Sequence, residues 1–339
     1  MSDRVVEVRD LRKVYRVHER EEGLAATVRS LYRRRYREVL AVDGVTFDIS
    51  AGEVVGFLGP NGAGKTTTLK MLSGLLFPTS GMARVLGHAP FGRDHGFLRQ
   101  ITLLMGNRTQ LVWDIPAADS FRVLQEIYSL PEDRYRATVT ELTELLDLEP
   151  LLHKPVRNLS LGERMKVEFA AGLIHSPRIA FLDEPTLGLD VSMQVRIRRF
   201  VAEYNRRTGA TILLTSHYMD DVVALCKRVL VIHHGRLLYD GDLSALAGRM
   251  APYKLIRLTL RGDANGLSLA AYGEVTERDE QRVTVRIPRE AAAERTARLV
   301  RDLEAHLVDI SVEDPPIEEA IDLVFTSERS SLEPAVPQA

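Results

Sequence analysis

The chain has little cysteine, tryptophan or unbalanced charge, and it has no long apolar run. Its 339 residues include one cysteine and one tryptophan, and 45 basic against 47 acidic side chains give a formal net charge of −2. A single cysteine excludes a disulfide within the chain. The charge balance excludes the general attraction to nucleic acid or anionic membrane of a strongly basic protein. No stretch of about 18 apolar residues occurs, so no transmembrane helix is predicted.

The N-terminus and the absence of a long apolar run predict a cytosolic chain. The N-terminal residues MSDRVVEVRD lack the apolar centre of a secretory signal peptide. The lone Cys226 lies in the helical-looking run DDVVALCKR, where we interpret it as a small buried residue rather than a reactive thiol. The length fits one large α/β domain and a smaller one, and 45% hydrophobic residues suffice for two cores.

Residues 59–66 read GPNGAGKT, a phosphate-binding loop of the form GxxxxGK[ST]. Glycines let backbone N–H groups approach phosphates, and the following helix directs its positive dipole end at the same charge. Lys65 is expected to neutralise the β- and γ-phosphates, and the Thr66 hydroxyl to coordinate Mg²⁺. The predicted ATP contacts of this segment are Gly59, Pro60, Asn61, Gly62, Ala63, Gly64, Lys65, Thr66 and Thr67.

The hydrophobic pattern around this loop predicts an α/β fold with a mainly parallel sheet. VVGFL (54–58) is a continuous apolar strand before the loop, and IAFL (179–182) and TILLT (211–215) are two more buried strands. Alternating residues in VVEVRDL and VLAVDGVTFDI predict antiparallel strands. Leucines at helical spacing predict two helices within 117–149, separated near Pro131.

The pattern changes after about Gly248. KLIRLTL and RVTVRIP alternate as strands, AAAERTARLVRDLEAHL is an amphipathic helix, and VDISVEDPPIEEAIDLVF contains a strand, a Pro-Pro break and a short helix. A small separate α+β module is therefore predicted over 249–326. The polar, turn-forming residues 327–339 predict a disordered tail.

A second motif lies about a hundred residues after the loop. Residues 158–185 read NLSLGERMKVEFAAGLIHSPRIAFLDEP, followed by TLGLD. Asp183, at the end of a buried strand, is expected to place a carboxylate at Mg²⁺, and Glu184 is the candidate general base for the attacking water. An Asp-Glu pair at a strand end is ordinarily an exposed turn, but the phosphate-binding loop favours the catalytic interpretation.

These motifs, in this order, resemble the ATP-binding subunits of ABC transporters. The resemblance covers about residues 4–245 and implies a P-loop NTPase core over 1–248, with an antiparallel β subdomain and a helical subdomain at about 107–160. The run GPNGAGKTTTLKMLSGLLFPTSG and the C-terminal module look most like the ATPases of ABC-2-type exporters, such as drug-resistance and sodium-extrusion systems. Such an ATPase acts with a separate transmembrane permease on the cytoplasmic face of the membrane.

The resemblance also implies a second ATP-binding subunit, either identical or related. Ser160 and the N–H groups at the start of the helix from Gly162 would close over ATP held by the other subunit. Leu161 and Glu163 depart from the usual LSGGQ, but the serine and the following glycine are retained. All four residues are expected to contact the nucleotide.

Other residues match the family by position. Asp190 with Leu189 matches the loop that crosses the subunit interface, and His217 in TSH resembles the switch histidine that contacts the γ-phosphate. The glutamine that couples the metal site to the permease should follow the strand ITLLM, where the chain reads GNRTQL. Asn107 fits the spacing without a gap, whereas Gln110 preserves the residue type and is preferred.

Tyr15 resembles the aromatic residue on which adenine stacks, although a predicted insertion separates it from the phosphate-binding loop. That insertion, residues 17–39, reads VHEREEGLAATVRSLYRRRYREV and predicts an amphipathic helix with Leu24, Val28, Leu31 and Tyr32 on one side. A solvated surface helix and a contact with the permease or anionic headgroups both remain open. Nucleic-acid binding is disfavoured because no second basic patch accompanies the helix.

The sequence therefore predicts an ATPase, using ATP and Mg²⁺, that powers export through a permease. The alternative is a soluble regulatory or repair ATPase with the same domain. Translation-associated relatives usually carry two cassettes, and chromosome-associated ones insert long coiled coils; the chain has neither. A third interpretation, a catalytically inactive binding subunit, is disfavoured because the chain has all four candidate catalytic residues, Lys65, Asp183, Glu184 and His217.

Overall fold

The chain divides into two compact units at Gly241 and Asp242. The structure is a computed structural model that describes residues 4–18, 36–106, 109–216, 218–262 and 268–332. The division precedes the predicted boundary after residue 248, because the helix Leu243–Met250 contacts the C-terminal helix Ile317–Leu332. Within the described ranges, no helix is both long and apolar enough to cross a membrane.

A six-stranded sheet lies at the centre of the N-terminal unit. Its strands are β3 Val54–Leu58, β5 Ile101–Met105, β6 Ile179–Asp183, β7 Thr211–Thr215, β8 Arg228–His233 and β9 Arg236–Asp242. The spatial order is β5-β6-β7-β3-β8-β9, and the first five strands in this order are parallel to one another. Every residue of β6 and β7 is buried, as expected of apolar strands covered on both faces.

A second, antiparallel sheet has the order β2-β1-β4, with β1 Arg4–His18, β2 Tyr36–Ser50 and β4 Ser80–Val85. The β1–β2 pairing extends from Arg4 opposite Ser50 to His18 opposite Tyr36. The ends of the predicted insertion, residues 17–18 and 36–39, are therefore strand, because backbone pairing continues through them. The predicted helix, with Leu24, Val28, Leu31 and Tyr32, lies outside the described residues.

The helices of this unit are α1 Lys65–Leu72, α2 His95–Leu98, α3 Ala117–Tyr128, α4 Glu132–Leu146, α5 Leu161–Leu173, α6 Val191–Thr208 and α7 Met219–Leu225. The predicted break at Pro131 is confirmed, since this residue precedes α4. One apolar core joins the two sheets and α1, with Phe47 against Phe57 at a ring distance of 6.1 Å. This core fixes the loop between β3 and α1 relative to the antiparallel sheet.

The C-terminal unit contains α8 Leu243–Met250, β10 Tyr253–Leu260, β11 Glu274–Arg278, β12 Arg282–Pro288, α9 Ala292–Asp302, β13 Leu307–Glu313 and α10 Ile317–Leu332. Its four strands form an antiparallel sheet in the order β11-β12-β10-β13. The sequence did not predict β11, because Val275 is its only apolar residue. Helix α10 continues to Leu332, into the segment 327–339, whose disorder stays a prediction.

Candidate functional site

The loop between β3 and α1 depends on two glycines. Gly59 has φ +156° and Gly64 has φ +107°. A Cβ atom would lie 2.2 Å from the Ile232 carbonyl oxygen at Gly59, and 2.4 Å from the Ala41 carbonyl oxygen at Gly64. Only glycine fits either position. The remaining predicted phosphate contacts, Pro60, Asn61, Gly62 and Ala63, lie within this loop, and Thr67 is in the first turn of α1.

Lys65 places a cation inside the loop. Its Nζ donates hydrogen bonds to the carbonyl oxygens of Gly59 at 2.6 Å and Pro60 at 3.1 Å. The residue is buried, and burial lowers the pKa of its ammonium, while the nearby carboxylates of Glu184 and Asp183 act in the opposite direction. The loop therefore holds a positive charge close to two carboxylates.

Asp183 joins three segments that are distant in sequence. Its Oδ1 accepts hydrogen bonds from Thr66 Oγ1 at 3.0 Å and from Thr215 Oγ1 at 2.8 Å. The end of β6 is thereby attached to the start of α1 and to the end of β7. A hydroxyl and a carboxylate are the oxygen ligands that Mg²⁺ prefers, so Thr66 and Asp183 fit the metal predicted for them.

Glu184 follows in an unusual backbone conformation, with φ +55°. Its backbone N–H donates to Thr215 Oγ1 at 3.1 Å, so the same threonine holds both acidic residues. Burial raises the pKa of the Glu184 carboxyl, and the Lys65 ammonium opposes that rise. A half-buried carboxyl with a raised pKa suits proton transfer near neutral pH.

Asp221 supports this arrangement, and the sequence analysis missed it. It is completely buried, and its Oδ2 accepts hydrogen bonds from Ser216 Oγ at 2.8 Å and from Thr186 Oγ1. Arg198 Nε lies 3.6 Å from the other carboxylate oxygen. The loop after Glu184 is thus tied to the end of β7. The sequence feature that could have identified Asp221 is the acidic pair in YMDD, which follows TSH at the end of a strand.

Ser160 and Glu163 form a capping box at the start of α5. Glu163 N–H donates to Ser160 Oγ at 3.3 Å, and Ser160 N–H donates to Glu163 Oε2 at 2.8 Å. The bond from the Ser160 backbone is the main cause that lowers the pKa of Glu163, and Lys154 adds an ion pair at 3.6 Å. Glu163, which replaces the glutamine of LSGGQ, therefore has a local role, because its carboxylate accepts a hydrogen bond from the backbone N–H of Ser160.

The start of α5 lies beside the start of α6. A Cβ atom on Gly162 would be 2.9 Å from Met193 Cε, and Leu161, the first residue of α5, is 42% exposed. Asp190 caps α6, since its Oδ1 accepts hydrogen bonds from Ser192 Oγ at 2.6 Å and Met193 N–H at 3.0 Å. The Ser192 bond is the main cause that lowers the Asp190 pKa. Leu189, just before this cap, is buried.

The structure does not bring Gln110 to the Asp183 carboxylate. Its side chain donates to the Leu103 carbonyl oxygen at 3.3 Å, on the edge strand β5, and its backbone N–H donates to Glu168 Oε2 at 2.9 Å. The buried Glu168, on α5, also accepts a hydrogen bond from Thr109. Within the described ranges no hydrogen bond joins Gln110 to Asp183, so its role at the metal stays a prediction. Asn107, the alternative, and His217 lie outside the described residues.

Tyr15 lies on β1 opposite Val39 of β2. The Lys13 ammonium is 5.3 Å from the centre of its ring, and the residue is half-buried. Ala41, whose carbonyl adjoins Gly64, is two residues along β2 from Val39, which corresponds to about 7 Å of strand. The strand pair therefore brings Tyr15 near the phosphate-binding loop, although stacking on adenine stays a prediction.

Comparison with protein families agrees with this geometry. Residues 42–187 match the family model described as "ABC transporter", and residues 252–313 match "EvrA-like ABC transporter, C-terminal domain". The second match falls within the C-terminal unit. The two matches together therefore cover parts of both units.

Similar proteins are ATP-binding subunits. The "ABC transporter ATP-binding protein NatA" of Bacillus subtilis is 36% identical over 63% of this chain and 88% of its own length. The "Nod factor export ATP-binding protein I" of Ralstonia nicotianae is 33% identical over 71% of this chain and 79% of its own. The solved structure of cbiO1 from Clostridium perfringens, part of the ABC transporter complex cbiONQ, covers 73% of this chain and 92% of that chain, with 25% identity and a TM-score of 0.59.

We expect Asp221→Asn to weaken the fold, because an amide oxygen that kept both hydroxyl bonds would leave the NH2 group facing Arg198, where a carboxylate oxygen now lies 3.6 Å from its Nε. The free energy of unfolding should fall by about 1–3 kcal/mol, measured by chemical denaturation. The matched control is Asp220→Asn, whose side chain is 84% exposed. Equal unfolding midpoints for the two variants would contradict the role of Asp221.

Proposed function

The chain belongs to the ABC transporter family of ATP-binding subunits, and on that premise we propose that it hydrolyses ATP to power export through a separate transmembrane permease. The observation that carries the catalytic part is the convergence of Lys65, Thr66, Asp183 and Glu184 at the ends of β3 and β6. The relatives with export in their names support the direction of transport. A position on the cytoplasmic face of the membrane follows from action with such a permease.

The geometry supports a direct assignment of roles. The N–H groups of the loop and the Lys65 ammonium bind the phosphates of ATP. Mg²⁺, held by Thr66 and Asp183, would neutralise charge on the β- and γ-phosphate oxygens. Glu184 accepts a proton from the water that attacks the γ-phosphorus, as the bond to the β-γ bridging oxygen breaks. ADP and inorganic phosphate are the products. His217 as a γ-phosphate contact and Tyr15 as an adenine platform complete the proposal.

A second ATP-binding subunit completes the site. Ser160 caps a 13-residue helix, and the capping box binds the N–H groups of Ser160 and Glu163, which leaves those of Leu161 and Gly162 and the positive dipole end for a ligand. None of the hydrogen bonds within the described ranges joins Ser160 to the phosphate-binding loop of its own chain. We therefore assign this helix start, with Asp190 beside it, to ATP bound by the other subunit.

An apolar groove supplies a docking site for the permease. A cavity of about 470 Å³ lies between α3, β5 and the end of α1. Leu75 and Ile127 line it and are 55% and 63% exposed. Exposed apolar side chains that line a groove are typical of sites that receive an amphipathic helix. Gln110 and Thr109 also line the cavity, so a helix bound there would contact the loop that is attached to α5 through Glu168.

Glu184→Gln should bind ATP with unchanged affinity, but its rate of hydrolysis should fall by about 100-fold or more, because only the proton acceptor is lost. Steady-state ATPase assays and nucleotide titration measure the two effects. In the unaltered chain, hydrolysis should decline as pH falls through the raised pKa of Glu184, since the protonated carboxyl accepts no proton. Near-normal turnover by the variant would remove Glu184 from this role.

Lys65→Ala and Ser160→Arg should fail at different steps. Lys65→Ala loses the counter-charge for the phosphates and should bind ATP weakly. Ser160→Arg should bind ATP normally as a single subunit, but its larger side chain should block closure over the nucleotide of the other subunit. Sedimentation with and without ATP separates the two effects. ATP-dependent dimerisation that persists in Ser160→Arg would contradict the composite site.

Ile127→Glu should reduce the fraction of the chain that sediments with membranes, because it places a charge in the apolar groove. ATP affinity should not change. Val223→Glu is the matched control, since Val223 is also exposed, at 56%, but does not line the groove. Equal membrane association of both variants would indicate that the permease binds elsewhere.

A further inference from the structure

A second cavity, of about 340 Å³, lies away from the candidate ATP site. Its walls come from the residues just before β5 and β6, the connection from α3 to α4, and the segment after α5. It is therefore at the amino ends of these parallel strands, whereas the phosphate-binding loop follows the carboxyl end of β3. Arg99, Arg134 and Arg178 line the cavity, and none of the described residues in its walls is acidic. The cavity thus concentrates positive charge.

No described carboxylate pairs with these three arginines. Arg99 Nη2 donates a hydrogen bond to Ser129 Oγ at 3.2 Å, and Arg178 Nη1 donates one to Gln100 Oε1 at 3.2 Å. Both acceptors are neutral, so the guanidinium charges keep no counter-charge within the part of the chain that the structure describes. A guanidinium presents several N–H donors in a fixed planar arrangement that carboxylate and phosphate oxygens accept. The cavity therefore fits an anionic ligand.

His175 adds an unsatisfied polar group to the wall of the same cavity. It is only 4% exposed, and its ring stacks on Tyr128 with 3.9 Å between the ring centres. Nε2 donates to the Ile101 carbonyl oxygen at 3.0 Å, because a carbonyl only accepts, and Nδ1 is therefore an acceptor in the neutral ring. This Nδ1 is buried and has no hydrogen-bond partner among the described residues. Burial lowers the pKa of His175 to about 4, and the Arg134 charge acts in the same direction, so the ring is neutral near pH 7.

We propose that this cavity binds a phosphate monoester group, carried either by a small soluble molecule or by a lipid headgroup. A carboxylate offers two oxygens and one negative charge, whereas a phosphate monoester offers three oxygens and nearly two charges, which suits three guanidinium groups better. Ser129 and Ser176 also line the cavity and supply hydroxyl donors. A volume at the lower end of the range for ligand pockets favours a compact phosphate ester over a nucleoside triphosphate.

The cavity adjoins the groove proposed for the permease, since Arg99 and Tyr128 line both. Ile127, next to Tyr128 at the end of α3, lines the groove. A phosphate bound between Arg134 of α4 and Arg178 before β6 would hold the end of α3 against the sheet and so fix the width of the groove. A groove held in one form binds its partner at a lower entropic cost. This effect on the permease rests on the proposed function, whereas phosphate binding does not.

Titration of the full chain with glycerol phosphate, at constant ionic strength and without nucleotide, tests the site. Binding should be saturable by calorimetry and should raise the melting temperature. Arg134→Gln and Arg178→Gln should each weaken it by about tenfold or more, because each removes a charged donor, while ATP affinity stays unchanged. Arg136→Gln is the matched control, since Arg136 is on the same helix, 72% exposed, and outside the cavity. Lys65→Ala, which removes phosphate binding by the loop, should retain the event. No saturable binding, its loss in Lys65→Ala, or equal weakening by the control would overturn the proposal.

Vesicles distinguish a lipid headgroup from a soluble ester. If the ligand is a lipid, the chain should bind phosphatidic acid vesicles more tightly than phosphatidylcholine vesicles, and Arg178→Gln but not Arg136→Gln should abolish the difference. If the ligand is soluble, Arg178→Gln should weaken glycerol phosphate binding without changing vesicle binding. The fraction of the chain that sediments with permease-containing membranes, which should rise when glycerol phosphate saturates the cavity, tests the effect on the groove. An unchanged fraction would contradict that effect and leave the phosphate site intact.

Discussion

The two hydrogen bonds to Asp183 Oδ1 are the interaction on which the rest of the site depends. They attach α1 and β7 to the end of β6, and so place the lysine, the hydroxyl and both carboxylates in one volume. The residues come from segments separated by more than a hundred positions, and the parallel sheet brings them together because the carboxyl ends of its strands share one edge. A change in the alignment of β6 with β7 would disperse the site.

A second constraint acts just beyond this point. Glu184 has a left-handed backbone conformation that is unfavourable for a side-chain-bearing residue, and such strain persists only where neighbouring contacts determine it. Thr215 Oγ1 accepts a hydrogen bond from the Glu184 N–H, and Asp221 accepts one from Thr186 in the loop that follows. The candidate base is therefore positioned by buried polar groups on neighbouring segments, which makes its orientation a property of the fold.

The helix that starts after Ser160 links the candidate site to the groove proposed for the permease. Its first turn forms the anion-binding end proposed for ATP of the other subunit, and Glu168, two turns later, holds the loop after β5. A helix transmits displacement along its axis because its backbone bonds are internal. If the permease occupies the groove as proposed, it would alter the position of Ser160 without any contact with the nucleotide.

Sequence alone determined the elements whose chemistry is local. The loop before Lys65, the apolar strands and the break at Pro131 were all predicted, because glycine spacing, apolar runs and proline act over a few residues. The tertiary structure decided what depends on distant partners. It identified Asp221 as a buried support, directed Gln110 toward Leu103, explained Glu163 through its capping box and formed β11 by pairing with β12. Each of these features depends on a neighbour brought near by folding, and the sequence pattern does not specify that neighbour.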